Sequence, residues 1–266
     1  MVVLTAGRRG LVPGGACLPD ARELRSLVAR LGDAGRAGWG AAATATGWGA
    51  ATTTVDLTSW ETAAQIERVD LRSRPVVPDP RSVAALVAHA NAEQRETGAG
   101  VMDPRPLRSL ATPLVRAALD GDGPQVAWLL ARLVGAGPGA TPAGDDVVVG
   151  ALAALDAVAG SMPAPQEPRA ARDLIARHLT GMLDRTTAVS RHDLAAAVAG
   201  RFAEHVHDVI AALGDPAAVP GVLSAARTWG ATSGTDLTCG VAFSLAALIP
   251  DQAGHRDLAA TRRRSA

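Results

Sequence analysis

Residues 135–146, "GAGPGATPAGDD", combine glycines and prolines with two adjacent aspartates, and these residue types allow two kinds of binding chemistry. Glycine lets the backbone approach a ligand closely, so that its N–H groups can hold an anion at the start of a helix. Aspartate supplies the hard oxygen ligands that Mg²⁺ prefers. A third alternative is a glycine-rich connection between two helices, with an acidic first turn that binds nothing.

The common nucleotide-binding motifs do not fit this loop. A dinucleotide fingerprint needs a strand followed by G-x-G-x-x-G, whereas a helix is predicted before this loop and Pro142 stands at the third glycine position. Gly139 and Gly144 have the glycine spacing of a P-loop, but Asp145 and Asp146 follow where lysine and serine or threonine belong. Either these carboxylates oppose an anion, or a cation such as Mg²⁺ stands between them and a phosphate.

The two aspartates of the loop are expected to differ in role. Asp145 is placed to act as N-cap of the following helix, where a side-chain oxygen satisfies a free N–H group. Successive helical side chains point about 100° apart, so Asp146 cannot serve the same position. Because a buried, unpaired carboxylate is costly, we expect Asp146 to be exposed, paired or bound to a ligand.

A second loop, "GATSGTD" at residues 230–236, again places threonine, serine and glycine before an aspartate and an apolar helix. If the two helices pack side by side, both N-termini face a common pocket that suits a small anionic or carbonyl substrate. We therefore predict Asp145, Asp146 and Asp236 as catalytic residues, with Asp146 and Asp236 as the contacts of a possible Mg²⁺. Two ordinary helix caps remain the alternative.

Further groups are predicted to contact the substrate. Ser233 is interpreted as a hydrogen-bond donor, because it lacks a G-x-S-x-G context and an identifiable base. Arg185 either binds a phosphate or carboxylate or faces the dipole of a helix C-terminus. His205, four residues after Arg201 on an otherwise apolar face, is a proton donor at the site or a core residue. The predicted substrate-binding set is Gly137, Gly139, Thr141, Gly144, Arg185, Thr186, His205, Ser233 and Gly234.

Hydrophobic periodicity predicts the elements that position these residues. Residues 1–80 hold a possible helix at 21–31 and a Thr-, Gly- and Trp-rich stretch with two "GWG" triplets and "VDL" segments, which indicate short strands. Residues 81–266 have helical spacing. We therefore predict an α+β fold, with a small β-rich N-terminal region (1–80) and a mainly helical domain (81–266) that carries both Gly/Asp loops. Helices are predicted at 82–96, 125–134, 147–160, 168–184, 191–213, 217–228 and 236–248.

Composition excludes several classes of protein. The 266 residues contain 26 basic and 26 acidic side chains and two phenylalanines, which is not the pattern of a nucleic-acid-binding protein. Cys17 and Cys239 are too far apart in sequence to indicate a disulfide framework or a zinc site, so a reducing cytoplasm is expected. No apolar segment is long enough for a secretory signal or a membrane span.

Three motifs resemble those of one bacterial family. Residues 135–146 match its G-x-G-P-G-x-T-P-[SA]-G-D-D loop, and "RTTAVSRHDLAAAVAG" at 185–200 matches R-T-T-x-x-S followed by L-x-x-A-x-x-G. Residues 230–236 match G-x-[ST]-S-G-x-D, with Thr235 where the family often has a large aromatic residue. The chain is thus identified as similar, over roughly residues 115–250, to the AllH-type subunits of oxamate carbamoyltransferase.

The resemblance implies a subunit of a multi-protein enzyme of anaerobic allantoin (purine) breakdown. That enzyme interconverts oxalurate and phosphate with oxamate and carbamoyl phosphate, and these are small anions of the kind that the two loops suit. Partner subunits are implied as well. A non-catalytic scaffold, whose loops only connect helices and whose apolar surfaces dock partner subunits, is the alternative.

Overall fold

A computed structural model of the chain describes residues 4–6, 16–18, 71–95, 103–161 and 166–248. The chain divides into two compact units, Met1–Leu71 with Ala203–His205, and Arg72–Phe202 with Val206–Ala266. In the first unit, strands β1 (Leu4–Ala6) and β2 (Ala16–Leu18) pair in parallel, with Thr5 opposite Cys17.

The other described elements are helical. In chain order they are α1 (Pro80–Arg95), α2 (Arg105–Arg108), α3 (Ala111–Leu119), α4 (Gly123–Leu133), α5 (Ala143–Val158), α6 (Gln166–Thr180), α7 (Ala188–Val198), α8 (Glu204–Ala212), α9 (Val219–Ala226) and α10 (Ser233–Leu248). One turn of 3₁₀-helix, Leu183–Arg185, lies between α6 and α7.

The predicted α+β class is wrong, because the described residues are predominantly helical and their strands are two segments of three residues. The β-rich N-terminal part was inferred from threonine, tryptophan and short valine-containing segments. Such β-propensity depends strongly on context and does not by itself specify a sheet. The predicted helix at 21–31 and the strands around the two "GWG" triplets lie outside the described residues.

Most of the predicted helices are present, but their ends and caps differ from expectation. The single helix predicted at 191–213 is two helices, α7 and α8, because Gly200 adopts a φ of +69° and ends the first one. Thr187 is the N-cap of α7, and its hydroxyl accepts a hydrogen bond of 3.1 Å from the Ser190 N–H. Helices α2 and α3 were not predicted.

Helices α5 and α10 form the centre of the second unit and approach each other through two glycines. A Cβ on Gly240 would lie 2.5 Å from the carbonyl oxygen of Val147, and a Cβ on Gly150 would lie 2.9 Å from the backbone nitrogen of Val241. Both distances are shorter than a carbon atom allows, so only glycine permits this contact. Each glycine lies seven residues after the first residue of its helix, so the crossing is equally far from the two N-termini.

Candidate functional site

The loop before α5 depends on glycines in a left-handed conformation. Gly135, Gly137 and Gly139 have φ values of +77°, +120° and +94°. A Cβ on Gly137 would lie 2.8 Å from the backbone nitrogen of Ala143, whereas none of the described residues lies within 4 Å of a Cβ on Gly139. Gly137 is therefore packed against the start of α5, and Gly139 has no such neighbour in the described part of the chain.

The glycines at the two helix starts pack against the protein itself. A Cβ on Gly144 would collide with the carbonyl oxygen of Leu133, the last residue of α4. A Cβ on Gly234 would collide in the same way with the carbonyl oxygen of Ala226, the last residue of α9. The two helix starts thus share one local arrangement, and both glycines allow close packing of helix ends.

Asp145 is a buried acceptor that holds two segments together. Its Oδ1 accepts a hydrogen bond of 2.8 Å from the Gly135 N–H, and its Oδ2 accepts one from the Thr186 hydroxyl. Ser190 also hydrogen-bonds to this carboxyl, whose pKa is raised by burial against the lowering effect of these bonds. The prediction that Asp145 caps α5 is wrong, because Pro142 occupies the N-cap position.

Residues of the motif at 185–200 hydrogen-bond to the loop at 135–146 and to the end of α4. The Thr187 hydroxyl donates to the carbonyl oxygen of Ala140 over 2.5 Å. The exposed guanidinium of Arg185 donates through Nη2 to the carbonyl oxygen of Ala131, 2.9 Å away in the last turn of α4. This contact is of the kind expected for a cation at a helix C-terminus. A role of Arg185 in substrate binding stays a prediction.

Asp146 lies where the first and third motifs meet. The hydroxyl oxygens of Thr141 and Ser233 are 2.7 Å apart, and Ser233 also hydrogen-bonds to the Asp146 carboxyl. The Oδ2 atom of Asp146 is buried and has no hydrogen-bond partner among the described residues. Asp146 is thus half-buried and partly paired, and the expected contact of its carboxyl with a ligand stays a prediction.

The charge state of Asp146 follows from these surroundings. Burial raises its pKa from the ordinary 3.8 to about 8, and the hydrogen bond from Ser233 opposes this rise. The carboxyl groups of Asp236, Asp145 and Asp193 raise it further. At neutral pH the Asp146 carboxyl accordingly holds its proton and carries an O–H donor.

Asp236 is paired with an arginine that the sequence analysis missed. The Nε atom of Arg108 lies 2.6 Å from Asp236 Oδ1, and the side chains are 6% and 0% exposed. Burial raises the pKa of Asp236, and Arg108 opposes that rise. The second oxygen of Asp236, Oδ2, is buried without a hydrogen-bond partner among the described residues. Arg108 could have been noticed because Ala111 and Val115 follow it at helical spacing, which places a charged residue in an apolar row.

Asp193 is a second titratable group near Asp146 that its sequence context did not indicate. It lies on α7, half-buried, and burial raises its pKa to about 6 while His192 opposes the rise. Its charge acts on Asp146. Its sequence context, a single aspartate in a helix, does not distinguish it from a solvated side chain.

The remaining predicted groups are distributed as follows. His205 lies in α8 and belongs to the first compact unit, so its role stays a prediction. Arg201 is exposed and forms a β-bridge with Arg72.

Within the part of the chain that the structure describes, no group of three His, Cys, Asp or Glu residues is arranged to hold a metal ion. No helix found there is long and apolar enough to cross a membrane.

Comparison with known proteins agrees with the motifs. The model of one family, described as "Oxamate carbamoyltransferase subunit AllH", matches residues 133–245. This span includes all three motifs and the contacts that join them around Asp145 and Asp146. The family resemblance inferred from the sequence is therefore confirmed over these residues. No curated protein and no solved structure matches the chain.

Proposed function

We propose that this chain, whose residues 133–245 match the AllH family, is a carbamoyltransferase subunit that binds a small anionic substrate between residues 135–146 and 230–236. The reaction is the conversion of oxalurate and phosphate to oxamate and carbamoyl phosphate. The observation that carries the proposal is the half-buried Asp146 in the first turn of α5, which hydrogen-bonds to Ser233 in the first turn of α10 and whose Oδ2 is buried without a partner among the described residues.

The two helix starts support an anion at this position. Helices α5 and α10 have 16 residues each, and the contact between Thr141 and Ser233 places their first turns side by side. The Gly144 and Gly234 N–H groups already donate to the carbonyl oxygens of Ala136 and Trp229, so the support for an anion comes from the positive ends of the two helix dipoles, which add.

A protonated Asp146 removes the conflict between an acidic cluster and an anionic ligand. As a neutral acid it donates a hydrogen bond instead of repelling the substrate. Asp145 has its oxygens occupied by Gly135, Thr186 and Ser190, and in this account it fixes the loop without contacting the ligand.

The proposed reaction needs a hydrogen-bond donor at this position. An oxygen of hydrogen phosphate attacks the carbonyl carbon of the carbamoyl group, the carbon–nitrogen bond to the oxamate portion breaks, and the departing nitrogen takes up the proton that the phosphate loses. Negative charge develops on the carbonyl oxygen during this step, and a fixed donor in a dry site stabilises that charge. We assign the Asp146 O–H to this stabilisation and Ser233 to its orientation.

A non-catalytic scaffold is the second candidate, and one surface feature favours it. Trp128 on α4 is 51% exposed, and the Arg132 guanidinium carbon lies 4.9 Å from its ring centroid. Exposed tryptophan and arginine are enriched in protein interfaces. In that case a partner subunit binds the substrate, and the loops only connect helices.

Calorimetric titration of the full-length chain with carbamoyl phosphate, phosphate and oxamate tests the proposal. The chains compared are the wild type, Asp146→Ala and the matched control Asp184→Ala, whose side chain is 95% exposed. We expect saturable binding by the wild type and the control, and its loss in Asp146→Ala. Repetition with Mg²⁺ determines whether Asp146 and Asp236 act through a metal, because binding would then require the ion. Absence of saturable binding by the wild type contradicts the proposal and favours the scaffold.

A further inference from the structure

We propose that the Arg108 side chain binds the anionic group of the substrate, and that Asp236 positions the Arg108 guanidinium. This inference rests on the proposed function and names a residue outside the three motifs. It also gives Asp236 a different task from the catalytic and metal-binding roles predicted from the sequence.

The first reason is the set of donors that the ion pair leaves unused. A guanidinium carries five N–H donors, and Arg108 uses only Nε, toward Asp236 Oδ1. Among the described residues, none accepts a hydrogen bond from its two Nη groups, although the side chain is only 6% exposed. Neither Nη atom is among the buried side-chain atoms that lack a partner, so both stay accessible to a ligand. A ligand with two oxygens in one plane would satisfy them.

The second reason is the position of the pair. Helix α2, which ends at Arg108, packs against both α5 and α10. Asp236 forms the ion pair with Arg108, and Ser233 contacts Asp146. These two residues are three positions apart on α10, so their side chains project from the same face of the helix. The guanidinium and the protonated Asp146 are thus anchored to one turn of one helix.

The third reason is the chemistry of recognition. The planar fork of arginine matches two oxygens of a carboxylate or phosphate, which a lysine ammonium does not. The Arg108–Asp236 pair is neutral overall, so the ligand charge is balanced largely by the two helix N-termini. The role of Arg108 is to fix the orientation of the ligand through its hydrogen bonds. The shared ligand chemistry is an oxyanion with two coplanar acceptors, either the carboxylate of oxamate or a phosphate.

The test separates the charge of Arg108 from the stability of the fold. Arg108→Gln alone leaves Asp236 buried and unpaired, which can prevent folding. The double variant Arg108→Gln/Asp236→Asn replaces the ion pair with two amides of similar size. Arg105→Gln, three residues earlier on the same helix, is the matched control, because Arg105 forms its ion pair with the exposed Asp103. Thermal unfolding establishes that each variant is folded before titration with oxamate and, separately, with phosphate.

We expect the double variant to bind about tenfold to a hundredfold more weakly than the wild type and the control. Loss confined to oxamate assigns Arg108 to the carboxylate, and loss confined to phosphate assigns it to the phosphate. Arg108→Lys should recover part of the phosphate affinity and little of the oxamate affinity, which a merely structural role would not produce. A folded double variant that binds both anions as the wild type does overturns this inference alone. A wild type that binds neither anion contradicts the proposed function and this inference with it.

Discussion

The hydroxyl groups of Thr141 and Ser233 lie 2.7 Å apart although the two residues are 92 positions apart in the sequence. The contact joins the two glycine- and aspartate-containing loops directly. It depends on the close crossing of α5 and α10, which places the first turns of both helices at the same end of the pair. The proposed site therefore depends on helix packing some seven residues away from it.

Gly240→Ala should destabilise the protein, because the new Cβ would lie 2.5 Å from the carbonyl oxygen of Val147. This clash is removed only if α5 and α10 move apart, and overpacking of this kind lowers the free energy of unfolding by about 1–3 kcal/mol. Urea denaturation measures the change. Gly221→Ala on α9 is the control, since no atom of the described residues lies within 4 Å of its added Cβ. Equal stability of the two variants would show that the α5–α10 crossing is looser than described.

Asp145→Ala should lower the free energy of unfolding by about 2–4 kcal/mol, because it leaves the Gly135 N–H and the Thr186 and Ser190 hydroxyls without their acceptor. Chemical denaturation again gives the value. Asp215→Ala removes an exposed carboxylate that accepts only from the Ala217 backbone N–H, and should cost about 1 kcal/mol or less. If both substitutions cost the same, Asp145 does not hold the loop.

The stability of the protein should fall as the pH rises through the range between 3.8 and about 8. The folded state keeps the Asp146 proton over this range and the unfolded state has lost it, so the folded state binds more protons and each step upward in pH favours unfolding. Asp193 acts in the same direction up to about pH 6. Thermal melts of the wild type and Asp146→Asn between pH 6 and 9 isolate the contribution of Asp146.

The expected result is a melting temperature that declines with pH in the wild type and changes less in Asp146→Asn. Asp184→Asn, with its exposed carboxyl, should follow the wild type. Parallel curves for the wild type and Asp146→Asn would mean that Asp146 is ionised in the folded protein at neutral pH.

Arg185→Ala should weaken anion binding much less than loss of Arg108. The Arg185 guanidinium is exposed and donates to the carbonyl oxygen of Ala131 at the end of α4, an interaction worth about 1 kcal/mol or less. Titration with oxamate at low and moderate salt measures the difference. A loss of affinity as large as that in the Arg108→Gln/Asp236→Asn variant would instead indicate that Arg185 binds the substrate, as its motif predicts.

The helices and the meeting of the two loops could be predicted from the sequence, because periodicity and the repeated pattern of small residues before aspartate are local signals. The division at Gly200 could not, since the apolar row continues from α7 into α8 and only the backbone conformation of one glycine ends the helix. The α+β class failed for a related reason. Strand propensity in the first eighty residues was given more weight than it carries without a demonstrated pairing.

The polar interior of the site was predicted only in part. Asp146 was singled out because Asp145 was assigned the capping role, and that premise is wrong because Pro142 occupies the N-cap position. Arg108 and Asp193 depend on tertiary contacts, and Arg108 is 128 positions away from its partner Asp236 in the sequence. The shift of the Asp146 pKa depends on burial and on three other carboxyl groups, which only the folded chain brings together.

The pH dependence of oxamate binding tests the central claim that Asp146 is a neutral donor to the substrate. The oxamate carboxylate stays ionised across pH 6–10, so the ligand does not change its charge. If Asp146 must hold its proton, the wild-type affinity should fall about tenfold for each pH unit above about 8, whereas Asp146→Asn, whose amide keeps an N–H donor, should bind with an affinity independent of pH. A wild-type affinity that is constant to pH 10, or an Asp146→Asn variant with the same decline, would contradict the account.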